Sequence, residues 1–104
     1  MMAAFLMIRY NGTRWDEFDE KYYAEKHLPQ VKEAWKTFGL EQLRYFSAIE
    51  PEGTQGTLWI CECRFATPEA LKQALAAPVS TALIGDIKNF TNMGCTMDTL
   101  EPIG

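Results

Sequence analysis

The segment Thr57–Phe65 constrains the fold of this chain most, because its side chains alternate between two faces and both faces are at least half apolar. The first face carries Trp59, Cys61, Cys63 and Phe65, and the second carries Leu58, Ile60, Glu62 and Arg64. A strand of this kind needs a cover on each side. A chain of 104 residues has enough helix to cover one face of a sheet, so the other face is expected to meet a second protein surface.

The N-terminal part of the chain predicts one strand followed by a long helix. Residues 3–10 are apolar and end at the turn signal Asn11-Gly12, which favours a buried first strand. Thr13 is predicted to cap the helix, which Pro29 interrupts before it resumes and ends at Gly39. The stripe expected to pack this helix on the sheet comprises Trp15, Phe18 and Tyr22.

The rest of the chain completes the pattern of a small α+β domain. Strands are predicted at residues 40–50, 57–65 and 94–100, helices at 68–77 and 79–87, and a polar loop at Pro51, Gly53 and Gly56. The order strand, helix, strand, strand, helix, strand is that of the ferredoxin-like fold with one antiparallel sheet, and residues 1–104 form a single domain. The uncovered sheet face predicts a homodimer through sheet faces, a dimeric α+β barrel.

Charge and cysteine content narrow the partners. A net charge of -4 gives no basic surface for nucleic acid, and residues 1–8 are too short an apolar run to cross a membrane. A cytoplasmic protein without disulfides is expected, because the three cysteines are odd in number and sparse. No metal site is predicted, since Cys61 and Cys63 with one histidine fall short of four ligands.

The segment FDEKYYAEKHLP, Phe18–Pro29, resembles the signature of the EthD family, named for ethyl tert-butyl ether degradation. The order of Glu62, Phe65, the segment Thr67–Leu71 and Asn89-Phe90 extends the resemblance over nearly the whole chain. The resemblance implies a dimeric α+β barrel, a group that includes cofactor-free monooxygenases and muconolactone isomerases. It does not imply one reaction or one substrate.

His27, the single histidine of the chain, is the candidate catalytic residue. An imidazole takes up and returns protons near neutral pH, as proton abstraction next to a carbonyl requires. Tyr23 lies one helical turn before it and is predicted to orient either His27 or the substrate. The alternative is structural: the His27 ring caps the helix break at Pro29 by bonding a nearby carbonyl or carboxylate.

Aromatic and thiol side chains are the candidate ligand contacts. They are Tyr22, Trp59, Cys61, Cys63 and Phe90. The default explanation of the two cysteines is that they are small core residues. Glu62 and Arg64 are expected on the outer sheet face, where they pair with each other or with the second subunit.

Three functions are compatible with these residues. The first is a cofactor-independent enzyme or accessory protein for a small apolar or aromatic metabolite, since no glycine-rich strand-to-helix turn for a nucleotide cofactor occurs. As an enzyme it would be a monooxygenase-like oxidoreductase or a lactone isomerase. The second is a non-catalytic homodimeric binding module. The third is a haem-handling protein with His27 as an axial ligand.

Overall fold

Four antiparallel strands form one sheet in the computed structural model, which describes residues 3–49 and 55–103. The strands are β1 (Ala4–Thr13), β2 (Leu40–Ser47), β3 (Gln55–Phe65) and β4 (Gly94–Leu100). Their order across the sheet is β2-β3-β1-β4, so that β1 and β3 are the central strands. This topology confirms the predicted ferredoxin-like α+β fold.

The helices lie on one face of the sheet. They are α1 (Glu20–Tyr22), a π-helical turn (Tyr23–His27), α2 (Leu28–Trp35), a 3-10 turn (Lys36–Phe38), α3 (Pro68–Ala76), α4 (Pro78–Gly85) and a second 3-10 turn (Ile87–Asn89). The Thr67 hydroxyl accepts from the backbone N–H of Ala70 at 3.0 Å and begins α3, as the sequence predicted. Within the described ranges, no helix is long and apolar enough to span a bilayer.

The region between β1 and α1 differs from the sequence prediction. Asn11-Gly12 does not form a turn: β1 continues to Thr13 because these residues pair with the start of β3, where Gly56 lies opposite Gly12. Long-range pairing therefore overrides the local turn signal. Gly56 belongs to β3 rather than to the predicted loop, whose residues 51–54 lie outside the described residues.

The predicted helix start and its packing stripe are also wrong in part. Thr13 is not the cap: its backbone N–H donates to the Asp16 carboxylate at 2.7 Å in a turn, and the helix begins after Asp19, which accepts from the backbone N–H of Tyr22. Trp15 lies in the intervening turn and is 79% exposed, so it does not pack on the sheet. Phe18 does pack, and its ring stacks on Trp59 with centroids 4.2 Å apart.

The interruption predicted at Pro29 takes the form of the π-helical turn just before it. The backbone N–H of Leu28 donates to the carbonyl of Tyr23, five residues earlier, instead of four. Helix α2 continues directly from this turn, and Pro29, its second residue, has no N–H to donate back to the carbonyls of the turn. Tyr23 and His27, the two ends of the turn, are the buried residues of this segment.

The two faces of the sheet differ as the alternation predicted. The face under the helices is the core, in which Leu6, Cys63 and Phe65 are fully buried. On the outer face Glu62 and Arg64 do not pair with each other. Instead Arg44 Nη2 lies 2.7 Å from Glu62 Oε1 and Arg64 Nε lies 3.1 Å from Glu41 Oε1, each across the β2–β3 ladder. Leu58 departs from the alternation: it lies at the β-bulge of the β1–β3 ladder and is buried.

Candidate active site

His27 forms a close pair with Asp86, which follows α4 directly. His27 Nδ1 lies 2.9 Å from Asp86 Oδ2, and the two side chains are only 5% and 11% exposed. The other carboxylate oxygen, Oδ1, accepts from the Tyr22 hydroxyl at 2.7 Å and from the Asn89 amide at 2.9 Å. The carboxylate is thus held on both oxygens, and the imidazole is held by the carboxylate.

The hydrogen bonds fix the charge of Asp86. Burial acts to raise the pKa of this carboxyl, but hydrogen bonds from Asn89, His27 and Tyr22 outweigh it and hold the pKa below its ordinary value. An ionised carboxylate only accepts hydrogen bonds, so Nδ1 of His27 carries the hydrogen of this contact. In the neutral ring, Nε2 then has a free lone pair. The bond to Asp86 also raises the pKa of Tyr22, which keeps Tyr22 a donor.

Two aromatic rings hold the imidazole plane. Tyr23 stacks on His27 with centroids 5.7 Å apart and planes 18° apart, and Phe90 lies at 4.6 Å on a tilt of 52°. The π-helical turn joins the two stacked residues, since it contains Tyr23 at its start and His27 at its end. The side chain is therefore positioned by packing as well as by hydrogen bonding.

A small cavity adjoins His27 between the helices and the sheet. Its volume is about 20 Å³, and its walls include Ile8, Val31, Ile84 and Met97. Because Nδ1 is turned to Asp86, Nε2 is the nitrogen that His27 can present to this space. In residues 3–49 and 55–103 no group hydrogen-bonds Nε2.

The Tyr23 hydroxyl is buried without a hydrogen-bond partner, and it is the only such side-chain atom in the part of the chain that the structure describes. Burial raises the pKa of Tyr23, and the nearby Cys61 and Tyr10 raise it further. The hydroxyl is therefore neutral. A buried polar group without a partner lowers stability.

Replacing Tyr23 with phenylalanine is expected to raise the free energy of unfolding by about 1 kcal/mol, because the change removes an unsatisfied hydroxyl and keeps the ring. Urea denaturation of the two proteins measures the difference. Tyr22→Phe is the matched control and is expected to lower stability, since its hydroxyl donates to Asp86. A loss of stability in Tyr23→Phe would show that its hydroxyl has a partner.

The candidate ligand contacts from the sequence occupy different places. Tyr22 contacts Asp86, Phe90 contacts His27, and Trp59 reaches Phe90 and Tyr23 only through Phe18. Cys61 and Cys63 are buried with their sulfurs 3.8 Å apart. None of the five candidates lines the cavity beside His27.

The chemistry of the cysteines follows from their burial. The neighbouring Cys61 thiol and burial both raise the pKa of Cys63, so that thiol stays protonated. All three cysteines are free. In the described ranges, no three His, Cys, Asp or Glu side chains lie close enough to hold a metal ion.

Asp86 and Asn89 are the site residues that the sequence reasoning missed. Asp86 is 59 residues from His27, and no periodic pattern connects them. The one available signal was the need of a lone buried histidine for a carboxylate or carbonyl partner. The capping alternative for His27 included such a bond, and the structure identifies Asp86 as the acceptor.

Comparisons with known proteins reveal the fold. No protein-family model matches the chain, and no curated protein sequence matches it. An EthD-like protein from Ralstonia eutropha JMP134 is 18% identical, with a TM-score of 0.81 over 100% of this chain and 95% of that one. An EthD family protein from Bacillus halodurans C-125 is 21% identical, with a TM-score of 0.69 over 99% and 100%.

A third structure with this fold belongs to a protein whose activity is described. It is SnoaB from Streptomyces nogalater, a cofactor-independent oxygenase, at 9% identity and a TM-score of 0.58 over 99% of this chain and 94% of that one. The chain therefore has the fold of EthD-like proteins over its full length, as the resemblance implied. Identities this low show the fold alone.

Proposed function

We propose that this protein is a cofactor-independent acid–base enzyme that accepts a small, mainly apolar or aromatic metabolite in the cavity beside His27. One observation supports the proposal above the others: the His27 ring lines an apolar cavity, its Nδ1 is held by Asp86, and its Nε2 has no hydrogen-bond partner among residues 3–49 and 55–103. A carboxylate, an oriented imidazole and a water-poor space beside it are the elements of general base catalysis.

The proposed step is a proton transfer. Nε2 of His27 takes a proton from a carbon next to a carbonyl, or from a hydroxyl, and the substrate keeps the electron pair as an enolate or phenolate. The ring then carries a positive charge 2.9 Å from the Asp86 carboxylate, which stabilises it. Return of the proton to another atom of the substrate completes an isomerisation.

The neighbouring residues are assigned supporting roles in this proposal. Tyr23 positions the His27 ring by stacking on it, and the tilted ring of Phe90 also packs against the imidazole. Tyr22 acts through Asp86. The sequence-based assignment of Trp59, Cys61 and Cys63 as ligand contacts then requires a ligand that reaches beyond the present cavity.

A homodimer through the outer sheet faces is part of the proposal. Phe46 and Leu100 on this face are 46% and 42% exposed, and the Arg44–Glu62 ion pair lies among them. Apolar side chains with paired charges around them suit a protein interface. A cytoplasmic location is also proposed, and the three free thiols are compatible with it.

Hydrogen–deuterium exchange of an enolisable planar ketone, 2-tetralone, tests the proposal. In deuterated buffer at pH 7, proton NMR follows the loss of the signals next to the carbonyl. The protein is expected to accelerate exchange above the same concentration of free imidazole, because the cavity orients the ketone at Nε2.

The same samples separate the enzyme from a binding module. Native mass spectrometry reports both the subunit count and any retained small molecule. Binding of 2-tetralone without accelerated exchange would support the non-catalytic binding module and contradict acid–base catalysis. A monomer would contradict the proposed dimer.

A further inference from the structure

The polar groups of the cavity are few, and most are already used. The Ser80 hydroxyl accepts from the Trp35 indole N–H at 2.9 Å and donates to the carbonyl of Ala74 at 2.5 Å. Neither Ser80 nor Trp35 therefore has a hydrogen left for a ligand. Tyr10 also lines the cavity, and burial raises its pKa, so its hydroxyl is neutral. Tyr10 and His27 are the polar lining residues that remain, and both are uncharged when the imidazole is neutral.

The charge of the site is negative or neutral. No lysine or arginine is among the described residues that line the cavity. Asp86 is ionised behind His27, so the pair carries one negative charge with a neutral ring and none with a protonated ring. An anionic ligand that enters this cavity loses its hydration, and the cavity offers it no positive charge that is not already paired with Asp86.

The surface end of the cavity is apolar as well. Ile84 on α4 is 53% exposed and Met97 on β4 is 37% exposed, and both line the cavity. A volume of about 20 Å³ holds about one water molecule, so a ligand enters by displacing such side chains. Partly exposed side chains at the edge of the cavity move more readily than the buried ones behind them.

We infer that the ligand of this cavity is an electrically neutral, oxygen-bearing hydrocarbon of the phenol or enolisable-ketone class, which enters between Ile84 and Met97 and places its acidic hydrogen, the O–H of a phenol or a C–H next to a ketone carbonyl, at Nε2 of His27. The inference rests on the proposed function in assuming that this cavity is the ligand site. It goes further in excluding carboxylates and phosphates as ligands of the site.

Three probes of nearly one shape test the inference: 4-methylphenol, toluene and 4-methylbenzoate. At pH 7 the phenol is neutral and the benzoate is ionised. Because His27 is the single histidine, its ring signals in NMR titrations report binding at this site directly. The phenol is expected to bind at least about tenfold more tightly than the benzoate, and more tightly than toluene.

One variant and its control test whether Asp86 causes the difference in affinity between the phenol and the benzoate. Asp86→Asn is expected to reduce the difference in affinity between the phenol and the benzoate, because the variant lacks the negative charge behind His27. Glu33→Gln is the matched control: it removes the same charge from a side chain that is 78% exposed on α2, and it is expected to leave the difference unchanged. Equal narrowing in both variants would show a general charge effect and overturn the role of Asp86.

The outcomes also separate this inference from the proposed function. Benzoate binding as tight as phenol binding would overturn the inference, while accelerated 2-tetralone exchange would leave the proposed function standing. If 4-methylphenol binds no more tightly than toluene, the proposed hydrogen bond from the phenol O–H to Nε2 of His27 is contradicted. If no probe shifts the His27 signals, the cavity is not a ligand site and both proposals fail.

Discussion

His27→Gln is expected to lower the protein-dependent rate of 2-tetralone exchange by about 10²–10⁴-fold, the usual contribution of a positioned general base. Glutamine has a similar reach and retains an amide that can donate to Asp86, but it does not accept a proton near neutral pH. The loss is therefore expected in the rate at saturating ketone, with little change in binding. The exchange assay with increasing ketone concentration measures both quantities.

The control for this prediction is Lys26→Gln. Lys26 precedes His27 in the same π-helical turn and is exposed, so it lies outside the cavity. The Lys26→Gln variant is expected to exchange 2-tetralone as fast as the unchanged protein. An unchanged rate in a folded His27→Gln protein would contradict the assignment of His27 as the base.

Asp86→Asn is expected to lower the same rate by about 10²–10⁴-fold, because the carboxylate orients the base and sets its tautomer. An asparagine amide does not stabilise the positive ring that forms when Nε2 takes a proton. It also has N–H donors, and one of them facing Nδ1 would move the ring hydrogen to Nε2, which could then no longer act as a base. The effect of Asp86 is thus exerted through His27.

A structural role alone would not account for the full pattern expected of Asp86→Asn. The variant is expected to keep its affinity for 2-tetralone and lose rate, while the hydrogen on the His27 ring changes nitrogen. Glu33→Gln serves again as the control for the loss of one charge. A rate within about twofold of the unchanged protein would contradict the positioning role of Asp86.

The strands and their order could be predicted because alternation and apolar runs are local properties of the chain. The segment ending at Phe65 is a strand in both the sequence reading and the structure, and β4 has the predicted bounds. Errors arose where distant pairing competes with a local signal. Asn11-Gly12 continues β1 because β3 pairs with it, and Trp15 lies in a turn because the helix begins only after Asp19.

Only the part of the site that lies on one helical segment could be predicted from the sequence. Tyr23 and His27 lie four residues apart, and their stacking follows from one helical segment. The bond between His27 and Asp86 depends on how the end of α4 packs against that segment, and no spacing within either segment encodes this packing. The outward ion pairs also escaped prediction in detail, since the partners of Glu62 and Arg64 come from β2.

The location of the ring hydrogen on His27 tests the central claim most directly. Long-range ¹H–¹⁵N NMR of uniformly labelled protein at pH 8 distinguishes a protonated from an unprotonated ring nitrogen, and the single histidine makes the assignment unambiguous. We predict a hydrogen on Nδ1, facing Asp86, and a free lone pair on Nε2, facing the cavity. A hydrogen on Nε2 in the unchanged protein would contradict the account, because the nitrogen beside the cavity could not then accept a proton.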